Sequence, residues 1–417
     1  MENNIFELTT EQLKEIASSL QEKITEGLAK DGREIRCLPT YIVPKATMEK
    51  EKVLVLDLGG TNLRVTVVDF TGKVPVVHDG IKKNLEYVMK TPEGADREVL
   101  YEEIAKLVES LNIEGIKSIG YCFSYPCEST PDGDAKLLFW TKGVTVKGMV
   151  NQLIGKTLMD YLNKRVKTTK FTNIKVINDT VASLFAGLTD TESQAHIGLI
   201  VGTGTNMAML FPSDKISKLD EEYQQKDLLP VNLESGNFYP QFLTVIDDKI
   251  DKYSDNPGGQ RFEKAISGMY IGRLLEFIFS TDEFEKNFDA EKLTRIMSYP
   301  DMFKDKYVEV SHQVYERSAK LVAASLAGLI LNITESIEKV TDIRIVAEGS
   351  LFWSCDQKGS KNIKFKSYKN LVIETLYLLL EEFGLQNIKI HVEETSHANL
   401  TGSAIAALSK NKLKTKS

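Results

Sequence analysis

Two segments with the same strand–turn–strand pattern constrain the fold of this chain more than any other feature. VLVLDLGGTNLRVTVVDF (53–70) and IGLIVGTGTNMAMLF (197–211) each place a glycine-rich turn between apolar runs. When they are aligned, the turn residues coincide: Gly60, Thr61 and Asn62 with Gly204, Thr205 and Asn206. This agreement predicts an internal duplication. The alternative is two unrelated hairpins, since glycine tolerates the positive φ of a tight turn.

Length, charge and cysteine usage narrow the class of protein. A chain of 417 residues exceeds what one hydrophobic core usually serves, so we expect two lobes. The net charge is −7 and no long Lys/Arg run is present, so nucleic acid is not an expected partner. Four scattered cysteines without a CxxC pair, and histidines without ligand spacing, predict a reduced, cytoplasmic protein without structural zinc.

Targeting and membrane segments are not expected. The N-terminus lacks the basic and apolar regions of a secretion signal. The uncharged stretch 321–334 is shorter than the ~20 residues that cross a bilayer, and we expect it to be a buried helix.

Strands alternate with helices along the chain, which predicts an α/β architecture. Thr9 to Gln12 has the form of a capping box before a helix that places Leu13, Ile16, Leu20, Ile24 and Leu28 on one face. The other predicted helices lie near 98–111 and 148–165, and one follows Asp179. The predicted strands, besides the two hairpins, are 117–125 and 174–179.

The two hairpins predict a phosphate site. Exposed backbone N–H groups in tight turns bind anions, so two facing turns can hold a polyphosphate from both sides. The copies differ where Asp57 in the first corresponds to Val201 in the second. A carboxylate in one copy only is expected if a single Mg²⁺ is carried on the phosphates and bound by Asp57, directly or through water.

The chain resembles the hexokinase family in its motifs and their order, from about Cys37 to about Gly402. The first and second hairpins resemble the family's two phosphate segments. The remaining matching segments are FSYPC (123–127), WTKGVTVKG (140–148), INDTVAS (177–183), NLESGNF (232–238), NPGGQRFEKAISGMYIG (256–272) and the adenosine-side turn AEGSLF (347–352). The resemblance implies an α/β, two-lobed actin-like ATPase (ribonuclease H-like) fold with duplicated phosphate hairpins and a hinge cleft.

The resemblance also implies the site residues. The catalytic residues are Asp179 and Lys142. The hexose contacts are Ser124, Thr141, Lys142, Asn178, Asp179, Asn206, Glu234 and Glu263. The nucleotide contacts are Asp57, Gly59, Gly60, Thr61, Asn62, Arg64, Gly202, Thr203, Gly204, Gly349, Ser350 and Leu351, with Asp57 the metal residue.

Asp179 is also the candidate base from the residues alone. It ends an apolar strand and opens a helix, which places its carboxylate at the sheet edge where ligands of α/β sheets gather. Phosphoryl transfer to a sugar needs positioning, charge neutralisation and a base for the hydroxyl proton. The alternative for Asp179 is a helix cap. For Glu263 it is a solvated residue of a first helical turn, and for Lys142 a surface lysine.

The expected activity is transfer of the γ-phosphoryl group of Mg-ATP to the 6-hydroxyl of a hexose, glucose foremost, in a monomer or homodimer that needs neither nucleic acid nor membrane. A kinase for fructose or mannose and a non-catalytic sugar sensor are the alternatives. One departure from the family concerns the adenine side, where SHANLTGSAIAAL (396–408) replaces a Gly-Ser-Gly-Lys-Gly-like turn. The expected small lobe is 52–190 with the C-terminal helix 402–414, and the large lobe is 1–51 with 191–401.

Overall fold

The fold is a two-lobed α/β structure, seen in a computed structural model that describes residues 4–43, 50–141, 143–189, 194–225, 227–279, 288–355 and 365–411. Its helices are α1 (Thr10–Ala29), α2 (Glu86–Met89), α3 (Arg97–Glu109), α4 (Ile154–Arg165), α5 (Asp179–Ala186), α6 (Val245–Lys252), α7 (Arg261–Ile266), α8 (Arg273–Ile278), α9 (Ala290–Ser298), α10 (Asp305–Ser336), α11 (Tyr368–Glu382) and α12 (Ala398–Leu408).

The strands are β1 (Leu38–Pro39), β2 (Ile42–Val43), β3 (Lys52–Gly59), β4 (Asn62–Asp69), β5 (Val76–Val77), β6 (Ile81–Asn84), β7 (Ser118–Phe123), β8 (Cys127–Ser129), β9 (Ala135–Leu137), β10 (Asn173–Ile177), β11 (Ala195–Val201), β12 (Thr205–Pro212), β13 (Leu228–Asn232), β14 (Asp342–Glu348), β15 (Lys389–Glu393) and β16 (Lys410–Asn411). β2 pairs with β16, and β8 with β9.

The two main sheets repeat one topology. The first has the order β10-β7-β3-β4-β5, with β6 also paired to β4, and the second the order β1-β13-β12-β11-β14-β15. In each, an antiparallel hairpin (β3–β4 or β11–β12) is followed by two parallel strands (β7 and β10, or β14 and β15). The repeat in the sequence is therefore also a repeat of topology.

Helices α5 and α12 lie between the two sheets. Val181, Leu184 and Phe185 of α5 share a buried cluster with first-sheet residues such as Val55, with second-sheet residues such as Ala208, and with α12. The two helices approach so closely that a Cβ at Gly402 would lie 1.8 Å from the carbonyl oxygen of Ala182. The helix that begins at Asp179 is thus fixed by contacts on both sides.

Helix α10 contains the predicted buried stretch. It is 32 residues long and is apolar enough by length and composition to cross a membrane, while 78% of its apolar window is buried inside the fold. Arg317 of this helix, which is 1% exposed, donates two hydrogen bonds of 2.7 and 2.8 Å to the Asp247 carboxylate on α6. The apolar helix therefore carries one buried ion pair.

Several predicted elements are confirmed, and the boundaries of others differ. The strand predicted at 174–179 is Asn173–Ile177, because Asp179 already begins α5. The capping box of Thr9 and Gln12 is present, and all five predicted apolar positions of α1 are buried. The helix predicted near 148–165 begins only at Ile154, because Gly148 and Asn151 have positive φ values of 75° and 62°. The C-terminal helix, predicted at 402–414, is Ala398–Leu408 and is followed by β16; residues 412–414 lie outside the described residues.

Candidate functional site

The first phosphate turn joins β3 to β4 through Gly60, which has a φ of 59°. Its neighbour Thr61 is held by the end of β6 and the residue after it: the Asn84 amide donates to the Thr61 hydroxyl at 3.2 Å, and the Leu85 N–H donates to the Thr61 carbonyl at 2.7 Å. Asn84, which the sequence did not single out, therefore supports the turn. The predicted residues Gly59, Gly60, Thr61 and Asn62 form one continuous turn.

Asp57 and Arg64 face each other across this hairpin. They are paired in register, and both Nε and Nη2 of Arg64 donate to Oδ2 of Asp57, at 2.9 and 2.5 Å. Asp57 is only 4% exposed. Burial raises its pKa, the Arg64 charge and hydrogen bonds oppose that rise, and the Asp179 charge adds to it. The pKa of Asp57 is raised overall, with burial as the main cause.

The second phosphate turn packs against the predicted adenosine-side turn. The Gly202 N–H donates to the Gly204 carbonyl at 2.9 Å, and the Met269 N–H donates to the Thr203 carbonyl at 3.3 Å. Gly349 has a φ of 111°, and a Cβ on it would lie 2.2 Å from the Val201 carbonyl oxygen. Next along that turn, Ser350 is exposed and Leu351 is buried. The nucleotide residues predicted from both segments thus lie together.

Asp179 is the first residue of α5, directly after the strand β10. The helix cap is Asn178, whose side chain accepts a 2.9 Å hydrogen bond from the Thr180 N–H. The Asp179 Oδ1 also accepts from this N–H, at 2.9 Å. Because Asn178 supplies the N-cap, Asp179 is not required for that role, and the alternative reading of Asp179 as a cap loses its main support.

Glu348 is a third carboxylate in this region, and the sequence reasoning missed it. It ends β14 immediately before Gly349, and its Oε1 accepts a 2.6 Å hydrogen bond from the Ser183 hydroxyl. Burial raises its pKa, the bond from Ser183 opposes this, and the charges of Asp179 and Asp57 raise the pKa further. Glu348, Asp57 and Asp179 therefore interact electrostatically across the gap between the two sheets. A carboxylate at the end of a buried strand beside a glycine turn was the available signal.

Two of the three hexose residues predicted on the second-sheet side, Asn206 and Glu234, are joined by hydrogen bonds through Asn232. The Asn206 amide donates to Asn232 Oδ1 at 2.8 Å, and the Asn232 amide donates to Glu234 Oε1 at 2.8 Å. Glu234 has a φ of 55°, a left-handed backbone conformation that residues other than glycine rarely adopt. Glu263 Oε2 accepts from the Thr205 N–H at 3.0 Å, beside the second phosphate turn. Asn232, not selected before, connects Asn206 to Glu234.

Of the hexose residues predicted on the first-sheet side, Ser124 lies near the first phosphate turn. The Ser124 N–H donates to the Leu58 carbonyl at 3.1 Å, and a Cβ at Gly59 would lie 3.5 Å from the Ser124 hydroxyl. A small cavity is lined by residues of both halves of the chain, among them Asn178 and Asn232. Thr141 is half-buried at the start of its loop, and Lys142 lies outside the described residues.

The metal prediction rests on Asp57. The described part of the chain contains no group of three or more His, Cys, Asp or Glu side chains that would hold a metal ion. A single buried carboxylate beside two phosphate turns fits a Mg²⁺ ion that arrives with its nucleotide, because Mg²⁺ keeps water and phosphate ligands besides one or two carboxylates.

Family models and relatives agree with the motifs. One model described as hexokinase matches residues 2–188, and a second hexokinase model matches 196–309 and 281–409. Mouse Hexokinase-3 is 27% identical over 83% of this chain and 42% of its own length. Rice (Oryza sativa subsp. japonica) Hexokinase-7 is 29% identical over 85% of this chain and 90% of its own length. The chain thus spans less than half the length of the mouse relative.

Solved structures share the fold. A hexokinase from Schistosoma mansoni complexed with glucose is 23% identical, with a TM-score of 0.76 over 97% of this chain and 96% of that chain. Another hexokinase crystal structure is 22% identical, with a TM-score of 0.79 over 97% of both chains. The predicted two-lobed α/β fold is confirmed.

Proposed function

The chain belongs to the hexokinase family, and from that premise we propose that it transfers the γ-phosphoryl group of ATP to the 6-hydroxyl of a hexose, with D-glucose as the preferred substrate. The observation that carries the proposal is that Asp57 and Ile177 are both paired in register with Cys122, so that Asp179, two residues after Ile177, lies at the same end of the first sheet as Asp57 and the first phosphate turn. This placement supports our assignment of the base, the first phosphate turn and the metal carboxylate to one site.

Each group has a separate task in this reaction. The hexose hydroxyls are bound by Asn178 and Ser124 on one side and by Asn206, Glu234 and Glu263 on the other. The Asp179 carboxylate accepts the proton of the 6-hydroxyl while the hydroxyl oxygen bonds to the γ-phosphorus. The bond from the γ-phosphorus to the β–γ bridging oxygen breaks, and ADP leaves with that oxygen. Thr141 and Lys142 are the remaining proposed hexose contacts, and the positive charge of Lys142 would offset the charge of the phosphoryl group.

The nucleotide is held by donors and one carboxylate. N–H groups of the turns at Gly60 and Gly204 bind the phosphates, and Gly349 with Ser350 lies on the adenosine side. Mg²⁺, when bound, neutralises phosphate charge. Asp57 would hold that ion directly or through water, with Arg64 keeping the carboxylate oriented.

A sensor without catalysis is the second candidate, and fructose or mannose is the alternative substrate. A sensor does not need a base, so Asp179 and Asp57 together favour the kinase. The test is a coupled assay that measures ADP formation with glucose, fructose, mannose and galactose, each with several nucleoside triphosphates. Turnover of glucose above the other hexoses supports the proposal. Tight glucose binding without turnover, with every donor, overturns it in favour of the sensor.

The setting of the protein is also a proposal. We place it in the cytoplasm at the first step of glycolysis, as a monomer or homodimer, and all four cysteines are free thiols, as a reducing compartment requires. The lobe division at 52–190 against 1–51 and 191–401 agrees with the separate hydrophobic clusters of the two sheets. α12, which packs with the first sheet, begins at Ala398 and so adds four residues to the proposed small lobe.

A further inference from the structure

Tyr125 connects three segments of the site. It lies in the FSYPC segment directly after Ser124, is 2% exposed, and donates a hydrogen bond from its hydroxyl to the carbonyl of Gly60 in the first phosphate turn. Its ring meets Trp140 edge-on, with centroids 4.8 Å apart and planes at 88°. Trp140 directly precedes Thr141. One side chain therefore contacts both the hexose loops and the phosphate turn.

The bond to Gly60 sets the direction of a donor. In a trans peptide the carbonyl and the following N–H point in opposite directions, so the bond that holds the Gly60 carbonyl also fixes the Thr61 N–H. Tyr125 lies buried beneath the turn, and the Thr61 N–H therefore points away from the core. The carbonyl and hydroxyl of Thr61 are held by Leu85 and Asn84. Three acceptors of the turn, the carbonyls of Gly60 and Thr61 and the Thr61 hydroxyl, are thus hydrogen-bonded to neighbouring segments. Such a turn can present its N–H donors to an anion.

We propose that Tyr125 is a positioning residue that couples hexose binding to the first phosphate turn. This inference rests on the proposed function, because it assigns the turn to the nucleotide phosphates and the Ser124 and Thr141 loops to the hexose. A hexose that contacts those loops restrains Trp140 and, through it, the Tyr125 ring. The Tyr125 hydroxyl, by its bond to the Gly60 carbonyl, then restrains the orientation of the Thr61 N–H. Bound hexose then strengthens nucleotide binding through this link.

The test is Tyr125→Phe, which removes only the hydroxyl and keeps the ring against Trp140. Its matched control is Tyr121→Phe. Tyr121 is buried on strand β7 nearby, and its hydroxyl has no hydrogen-bond partner among the residues that the structure describes. Titration calorimetry measures the affinity for a non-hydrolysable Mg-ATP analogue with and without glucose, and steady-state kinetics gives kcat and both KM values.

In the wild type, glucose should strengthen analogue binding. In Tyr125→Phe that strengthening should fall by about three- to tenfold, the effect of one net hydrogen bond, while the affinity for glucose alone changes less than twofold. Tyr121→Phe should behave as the wild type. Thermal unfolding of both variants separates coupling from stability: a lower midpoint with coupling intact makes Tyr125 a packing residue and overturns the inference.

Failure of the inference and failure of the proposed function are distinguishable. A wild type that phosphorylates no hexose overturns the function, while the calorimetric titration still decides the coupling. A wild type in which glucose leaves nucleotide affinity unchanged overturns the coupling, even if the enzyme turns over.

Discussion

The Ser183 hydroxyl donates a 2.6 Å hydrogen bond to the Glu348 carboxylate, which joins the helix that carries Asp179 to the last residue of β14. Ser183 lies one helical turn after Asp179 and also donates to its carbonyl at 3.2 Å. The bond therefore connects the helix of the candidate base to the strand that leads into the adenosine-side turn.

Removing the Glu348 carboxylate, which accepts the bond from Ser183, should slow turnover. Glu348→Ala should lower kcat by about ten- to hundredfold, because hydrogen bonds to charged groups are worth about 1.5–3 kcal/mol and each ~1.36 kcal/mol is tenfold in rate. Glu348→Gln keeps an acceptor and should retain more activity. Ser183→Ala should reproduce the loss, and the double variant should add little, since both remove one bond. Steady-state kinetics of all four proteins checks this, and fully additive losses would contradict the assignment.

Asp179→Ala tests the base. We expect kcat to fall about 10²–10⁴-fold, the usual contribution of a positioned general base, with a smaller change in glucose affinity. Asn178→Ala is the companion variant: it removes the cap of α5, which should cost about 1 kcal/mol of stability, and, as a proposed hexose contact, it should raise the KM for glucose more than it lowers kcat. Measurements of kcat and of the free energy of unfolding should therefore distinguish the two variants: kcat falls mainly in Asp179→Ala, and stability falls mainly in Asn178→Ala. Near-normal turnover of a folded Asp179→Ala protein would show that another group accepts the proton.

The two hairpins should respond differently to substitution. Asp57→Ala should weaken the use of Mg-nucleotide, because it removes the only carboxylate of the two turns and leaves Arg64 without its partner. Val201→Ala, at the equivalent position, should leave chemistry nearly unchanged and cost stability, since Val201 is fully buried. Initial rates over a Mg²⁺ titration compare them. An identical metal dependence in both variants would remove the argument for one metal site.

The sequence predicted the hairpins and the position of Asp179 because both depend on local pattern: strand alternation, glycine in the turn, and a carboxylate between strand and helix. It did not predict Asn84, Asn232 or Glu348. Their roles come from hydrogen bonds between distant segments, such as Asn84 to Thr61 and Ser183 to Glu348, and no periodicity records such pairs. The start of α12 was missed for a local reason: His397, its first flanking residue, has a φ of 58° and makes no side-chain cap.

The buried pair of Asp247 and Arg317 should dominate stability in the second-sheet lobe. Asp247→Ala should cost about 3–5 kcal/mol, because it leaves a buried guanidinium without its partner. Asp248→Ala is the control: Asp248 pairs with Arg261 but is itself 59% exposed, so its loss should cost about 1 kcal/mol or less. Denaturant unfolding at neutral pH measures both.

The same pair predicts a pH dependence. Burial raises the pKa of Asp247, but the charge and hydrogen bonds of Arg317 outweigh it, so the folded-state pKa lies below the ordinary value. A lowered carboxyl pKa contributes stability that is present above the unfolded value, about 3.9, and is lost as pH falls through the folded value. The stability difference between wild type and Asp247→Ala should therefore shrink below about pH 4. A difference that grows in acid would contradict this sign.

Hexose binding should close the cleft. Ser124, Thr141 and Asn178 lie with the first sheet, and Asn206, Glu234 and Glu263 with the second, so neither set alone surrounds a hexose. Closure also has a chemical reason: water would otherwise take the phosphoryl group, and a site assembled only by the hexose limits that loss. We expect glucose to lower the radius of gyration in solution scattering, and ATP hydrolysis without hexose to be very slow.

Glu234 gives this motion its sharpest test. Two residues after the end of β13, it has a left-handed backbone conformation and accepts a hydrogen bond from Asn232, and we expect its carboxylate to contact the hexose from the second-sheet side. Glu234→Ala should weaken glucose binding and, at glucose concentrations that saturate the wild type, reduce the compaction, because part of the closing contact is gone. Glu22→Ala on the exposed face of α1 should leave both unchanged. Scattering profiles of the wild type that superimpose with and without saturating glucose would mean that the cleft binds hexose without closing.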